Sequence, residues 1–123
     1  MNGAFSSQVR TIVARRAMDA LGLLCCERCC AAASDLQYHH RRPRGKGGSK
    51  ASDTGTVSNC LLLCGACHLF VESYRTQALE FGWLVRQSKS PAEIPVFYQR
   101  EWVLLDNDGH TYRIPIPTTG TVS

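Results

Sequence analysis

The sequence predicts a small α+β domain closed by a metal ion. Three observations carry this. Two Cys-x2-Cys pairs, Cys26-Glu27-Arg28-Cys29 and Cys64-Gly65-Ala66-Cys67, stand 34 residues apart. Helix-like and strand-like apolar patterns alternate along the chain. The 123 residues suit one domain, and a core of that size often needs a metal or disulfide staple.

The elements follow in order. Ser6 or Ser7 can cap a helix running through Val9, Ile12, Val13, Arg16, Ala17 and Ala20, with Gly22 as its stop. Arg10, Arg15 and Arg16 lie on or near its polar side. Leu23–Cys30 is a turn that forms the first cysteine knuckle, and Leu36–His40 is a short strand. Residues 41–58 are rich in Arg, Gly, Lys, Ser and Thr, and read as a loop tethered at both ends by the cysteine pairs. Leu61–Leu63 is a fully apolar strand. A helix starts around Gly65–His68, runs through Val71, Tyr74, Ala78 and Leu79, and ends at Gly82. Pro91 and Pro95 punctuate a linker. Trp102–Leu105 and His110–Ile114 then flank Asp106-Asn107-Asp108-Gly109, a strong hairpin turn. Residues 1–114 therefore form one domain, with its core at about 24–80 and a C-terminal hairpin at about 96–114, and 115–123 form a flexible tail.

The two knuckles fit zinc. Zn2+ takes four soft ligands in a tetrahedron, and each tight turn converges two thiolates. Cys26, Cys29, Cys64 and Cys67 are the expected ligands. The run Cys25–Cys30 offers other registers, but only 26/29 has the Cys-x2-Cys spacing; Cys25, Cys30 and Cys60 otherwise read as small buried or partly buried residues. Four thiolates fill the coordination shell, so such a zinc is structural. Seven cysteines are an odd number, which argues against a closed disulfide framework. No apolar run is long enough to span a bilayer, and the N-terminus lacks a secretory pattern. The expected compartment is the reducing cytoplasm, where paired cysteines more often bind metal.

The net charge of +4 is uneven: residues 1–75 carry ten Lys/Arg against five Asp/Glu. Arg41, Arg42, Arg44, Lys46 and Lys50 form a run without an acid, suited to polyphosphate.

Between the cysteine pairs stands His39-His40-x2-Pro43, followed by Asn59 and then His68 beside the second pair. This order, with "CERC", "HHRRPRG" and "NCLLLCGACH" in sequence, resembles the HNH endonucleases over roughly residues 24–75. The closest likeness is to the zinc-stapled branch common in phage genomes and among bacterial restriction-type nucleases. The resemblance implies a ββα-metal (His-Me) finger, two strands and a helix around one catalytic divalent ion. It implies His39 and His68 as ligands of that ion, His40 as general base and Asn59 as the residue that bonds backbone across the loop. Adjacent strand residues point to opposite faces, so His39 and His40 have different tasks. A nitrogen donor at His39 widens the expected ion from Mg2+ toward Mn2+, Co2+, Ni2+ or Zn2+. Glu72, one helical turn after His68, is a candidate further ligand, or else an exposed helix carboxylate. Tyr74 stands where some relatives carry another His. Arg41, Arg42, Arg44 and Lys46 would grip phosphates with little sequence preference and strong salt dependence.

The implied activity is hydrolysis of DNA to 5′-phosphate and 3′-hydroxyl ends, in a bacterial or phage-infected cytoplasm. One site per chain nicks; double-strand cleavage needs a homodimer or two events. The alternatives are a non-catalytic zinc module binding nucleic acid or protein, and an accessory nuclease of phage packaging with a terminase partner.

Overall fold

The structure, a computed structural model, describes residues 5–43 and 53–117. It is an α+β arrangement of three helices and two small antiparallel sheets. Helix α1 spans Ser7–Ala17, and strands β1 (Gln37–His40) and β2 (Cys60–Leu63) form the first sheet. Helices α2 (Gly65–Ser73) and α3 (Arg75–Glu80) follow, then strands β3 (Val96–Tyr98), β4 (Glu101–Leu105) and β5 (Thr111–Arg113). Among the described residues no helix is long and apolar enough to cross a membrane.

Ser6 caps α1, its hydroxyl accepting from the Val9 N–H at 3.1 Å. The helix stops three residues short of Ala20. The carboxylate of Asp19 captures the N–H groups of Leu21 and Leu23 at 2.8 and 2.9 Å, closing a turn in place of another helical one.

Strand β2 is buried along its whole length and separates two apolar clusters. Leu61 and Leu63 face the main core with Val71, Trp83, Leu84 and Val103. Cys60 and Leu62 face the opposite side, with Phe5, Val13, Ala17 and Val57. This period of two sorts the whole sheet. In the pairing register His39 lies opposite Leu61 and His40 opposite Cys60, so the two histidines take opposite faces.

The expected single helix after the second knuckle is broken at Tyr74, whose φ of −116° and ψ of 64° are not helical. Gly82 lies just past α3 with φ +77°, and a Cβ there would sit 2.0 Å from the Pro95 carbonyl oxygen. Only glycine fits that crossing. The C-terminal element is a three-stranded sheet. Strand β3 pairs Val96 with Val103 in β4 although prolines precede it, because Pro95 stands just outside the strand. The sheet is fastened to the core by the Asn107 side chain, which accepts from the Ser58 N–H at 2.9 Å. The stacked rings of Phe81, Trp83 and Trp102 add to that attachment.

A buried ion pair joins the parts. Arg16 of α1 donates from Nε and Nη2 to Glu27 at 2.7 and 2.8 Å, with both side chains almost wholly buried. Glu27 also accepts from the Leu62 N–H and from the Tyr98 hydroxyl. One carboxylate in the first knuckle thus ties together α1, β2 and β3.

Candidate metal centres

Two groups of side chains fall where the sequence analysis placed metals. The sulfurs of Cys26, Cys29, Cys64 and Cys67 lie within 4.8 Å of one another. Thiolates about 2.3 Å from a central ion in a tetrahedron sit about 3.8 Å apart. The Cys29–Cys64 separation is 3.8 Å. These four cysteines could hold a structural metal such as zinc. Burial alone would push the Cys26 thiol up, but the N–H groups of Cys29, Cys64 and Arg28 outweigh it and hold the thiol below its ordinary range. Burial pushes Cys67 upward, opposed by the Arg28 guanidinium, which donates to its sulfur at 3.2 Å. That guanidinium also lies over the rings of Phe70 and Trp83, 4.1 and 4.3 Å from their centroids.

The second group is His39, His68 and Glu72. Strand β1 supplies the first and α2 the other two, four residues apart on one helical face. Glu72 Oε2 lies 3.9 Å from His39 Nδ1 and 3.9 Å from His68 Nε2. Donors bonded at about 2.1 Å to one ion lie roughly 3.0–4.2 Å apart, so these spacings fit. The far nitrogens fit too. His39 Nε2 donates to the Trp83 carbonyl at 3.0 Å, and His68 Nδ1 donates to the Gln37 side-chain oxygen at 2.6 Å. Each imidazole is thereby held in the tautomer whose lone pair faces the cluster, as metal-bound imidazoles are. Burial pulls His39 down to about 4, so it is neutral near pH 7 as a ligand must be. Exposure rises from 3% at His39 to 46% at the Glu72 side chain, giving a closed floor and an open mouth. The other Glu72 oxygen accepts from Arg75 at 3.0 Å.

His40 is not in that cluster. Its ring turns to the α1 face and stacks on Phe5, with centroids 4.0 Å apart and planes at 19°. Asn59 is fully buried. Its Oδ1 accepts from the Arg42 N–H at 2.7 Å, and its Nδ2 donates to the carbonyls of Arg42 and Thr54. The Arg41 N–H donates to the Asn59 carbonyl at 2.8 Å. Asn59 thus bonds the backbone just past His40.

Arg41 and Arg42 require a correction. Both were expected to grip phosphates, and both are buried. Arg41 donates to the carbonyls of Gly82, Ser58, Pro91 and Ile94 at 2.8–2.9 Å. Burial pulls its guanidinium down to about 9, still cationic at neutral pH. Arg42 pairs with Asp53 and donates to the Lys89 carbonyl. Their donors are spent inside the fold, so neither reaches a solvent-side anion. Arg44 and Lys46 lie outside the described residues.

Gln37 was missed by sequence reading, although its place two residues before His39 puts it on the same strand face. Also missed was the group Asp106, Asp108 and His110. There Asp106 Oδ1 accepts from the N–H groups of Asp108 and His110, and Oδ2 from Tyr112 and the His110 ring. That carboxylate closes the hairpin turn.

Comparison with known proteins adds nothing to this geometry. No family model, curated protein or solved structure matches the chain.

Proposed function

We propose that the protein is a metal-dependent DNA endonuclease of the HNH type, with a zinc-clamped strand–strand–helix unit as its catalytic core. The observation that supports it best is the His39–His68–Glu72 cluster, where both imidazoles are oriented through their far nitrogens and the carboxylate faces an open mouth. The donor set is one that divalent ions accept. An ion held there would supply positive charge and Lewis acidity to phosphoryl oxygens.

The chain's own residues divide the remaining work. His39 stays neutral, and both His39 and His68 orient a ring nitrogen toward the cluster. His40 accepts a proton from the attacking water, its ring steadied by Phe5. Asn59 is a positioning residue that fixes the backbone leaving His40. Since His39 and His40 occupy opposite faces of β1, the scissile phosphodiester must cross the C-terminal end of that strand to meet both.

One observation favours the rival, a non-catalytic zinc module. The loss of Arg41 and Arg42 to the interior removes two phosphate contacts that the nuclease reading relied on. Supercoiled plasmid incubated with Mg2+, Mn2+, Co2+, Ni2+ or Zn2+ decides between them. Nicking is expected, at least as fast with a softer ion as with Mg2+, and lost in both His40→Ala and His68→Ala. Inactivity of the wild type with every ion would leave the zinc module. Full activity of His40→Ala would remove the base assignment alone.

A further inference from the structure

With Arg41 and Arg42 buried, the charge that meets a nucleic acid must come from elsewhere. An open groove of about 360 Å³ runs along α1, with Ala14 and Met18 among its lining and Ser7, Arg10, Thr11, Arg15 and Tyr38 as its polar members. Arg10 and Arg15 are exposed, and among the described residues no salt bridge engages either. Helix α1 contains no acidic residue. The nearest acids in sequence are already used: the Asp19 carboxylate accepts from the N–H groups of Leu21 and Leu23, and Glu27 pairs with Arg16. Arg10 and Arg15 are five residues apart, about 7.5 Å in rise and roughly 140° around the helix, so they flank the groove from its two sides.

The groove is also in the right place. Tyr38 and His40 are two apart on β1 and share its α1 face. The Tyr38 hydroxyl donates to the Arg10 carbonyl at 3.3 Å, and Phe5, which stacks on His40, leads directly into the helix. Tyr38 therefore ties the groove to the strand that carries His40.

We infer that this groove binds the phosphodiester backbone of a nucleic-acid strand, with Arg10 and Arg15 each meeting a phosphate. That the strand is the one crossing His40 rests on the nuclease reading above; the binding itself rests on the groove. Two guanidiniums beside hydroxyls and an aromatic face suit a polyphosphate strand. Such contacts are blind to sequence.

The test is fluorescence anisotropy of a short labelled DNA duplex with the full chain, its structural metal retained and no other divalent ion added, across a salt series. Arg10→Ala/Arg15→Ala should weaken binding about tenfold and lower the slope of log affinity against log salt by about two. Arg10→Lys/Arg15→Lys, which keeps the charge, should keep the slope. Unchanged affinity and slope in the alanine variant would overturn the inference. So would an equal loss in Arg86→Ala/Lys89→Ala, which lie on a separate cavity beside α3 and β4. Tighter binding to phosphatidylserine vesicles than to duplex at the same salt would overturn it in favour of a membrane surface. The two readings fail separately. A wild type that cleaves nothing yet shows the expected salt slopes loses the nuclease assignment and keeps the groove. A cleaving enzyme indifferent to Arg10 and Arg15 does the reverse.

Discussion

The four-cysteine cluster and the His39–His68–Glu72 cluster draw on the same helix, yet they are fastened differently. Cys26, Cys64 and Cys67 belong to the main apolar core. His68 and Glu72 stand at its rim, and only His39 reaches inside. The first group is therefore bound up with folding. The second, if it binds an ion, would do so at the edge of the core. Under the nuclease reading proposed above, this separation would let the site admit substrate without also having to hold the chain together.

The comparison breaks most visibly at the cysteines. Structural zinc contributes apparent free energies of about 10–16 kcal/mol in small zinc domains, as much as a domain's whole stability. Cys64→Ser, or exhaustive chelation, is expected to abolish the cooperative thermal transition seen by circular dichroism, whereas His68→Ala should leave it in place. A cooperative transition surviving in Cys64→Ser would mean that the core stands without its clamp.

Arg41 comes next. It ties four carbonyls from three separate segments. Arg41→Ala should cost about 3–5 kcal/mol in urea denaturation, because buried acceptors lose their charged donor. A cost under about 1 kcal/mol would return Arg41 to the solvent and to the phosphates.

His39 makes the second cluster sensitive to pH. Its native value of about 4 lies below the ordinary 6.5, so the unfolded chain takes up a proton first as pH falls. The stability linked to neutral His39 is present above about pH 6.5 and drains away toward pH 4, by about 3 kcal/mol in full. Urea titrations of wild type and His39→Gln, without added divalent ion, should show a stability difference that changes across that window. A flat difference would mean that His39 is hydrated.

The smallest effect tests the rim. Gln37→Ala frees the far nitrogen of His68 and is expected to weaken Mn2+ or Co2+ binding about 10–100-fold in calorimetry. Its melting temperature should stay unchanged. Equal affinity would show that Gln37 orients nothing.

Local signals were legible in the sequence. Cysteine spacing marked the clamp, strand alternation separated His39 from His40, and the Asp-Gly turn marked β4 and β5. The α+β class followed from these. Long-range partners were not legible. A run of arginines reads as a solvated phosphate grip because nothing near Arg41 announces the carbonyls of Gly82, Pro91 and Ile94. The Arg16–Glu27–Tyr98 network is hidden for the same reason, since it spans three distant segments. Strand β3 was obscured by the prolines preceding it, and the break at Tyr74 leaves no mark in an otherwise helical pattern.

The acceptor that orients His39 is the main-chain carbonyl of Trp83. No codon change at position 83 can delete a backbone oxygen, but the Trp83 ring, stacked on Phe81 and under the Arg28 guanidinium, helps hold that oxygen in place. What disturbs it is movement of the segment that carries it, anchored by Arg41 at Gly82 and by the Val85 N–H on the Arg41 carbonyl. Variants that misdirect His39 should therefore map in a genetic screen to Arg41, Gly82 and the Trp83 ring, none of which supplies the accepting atom from its side chain.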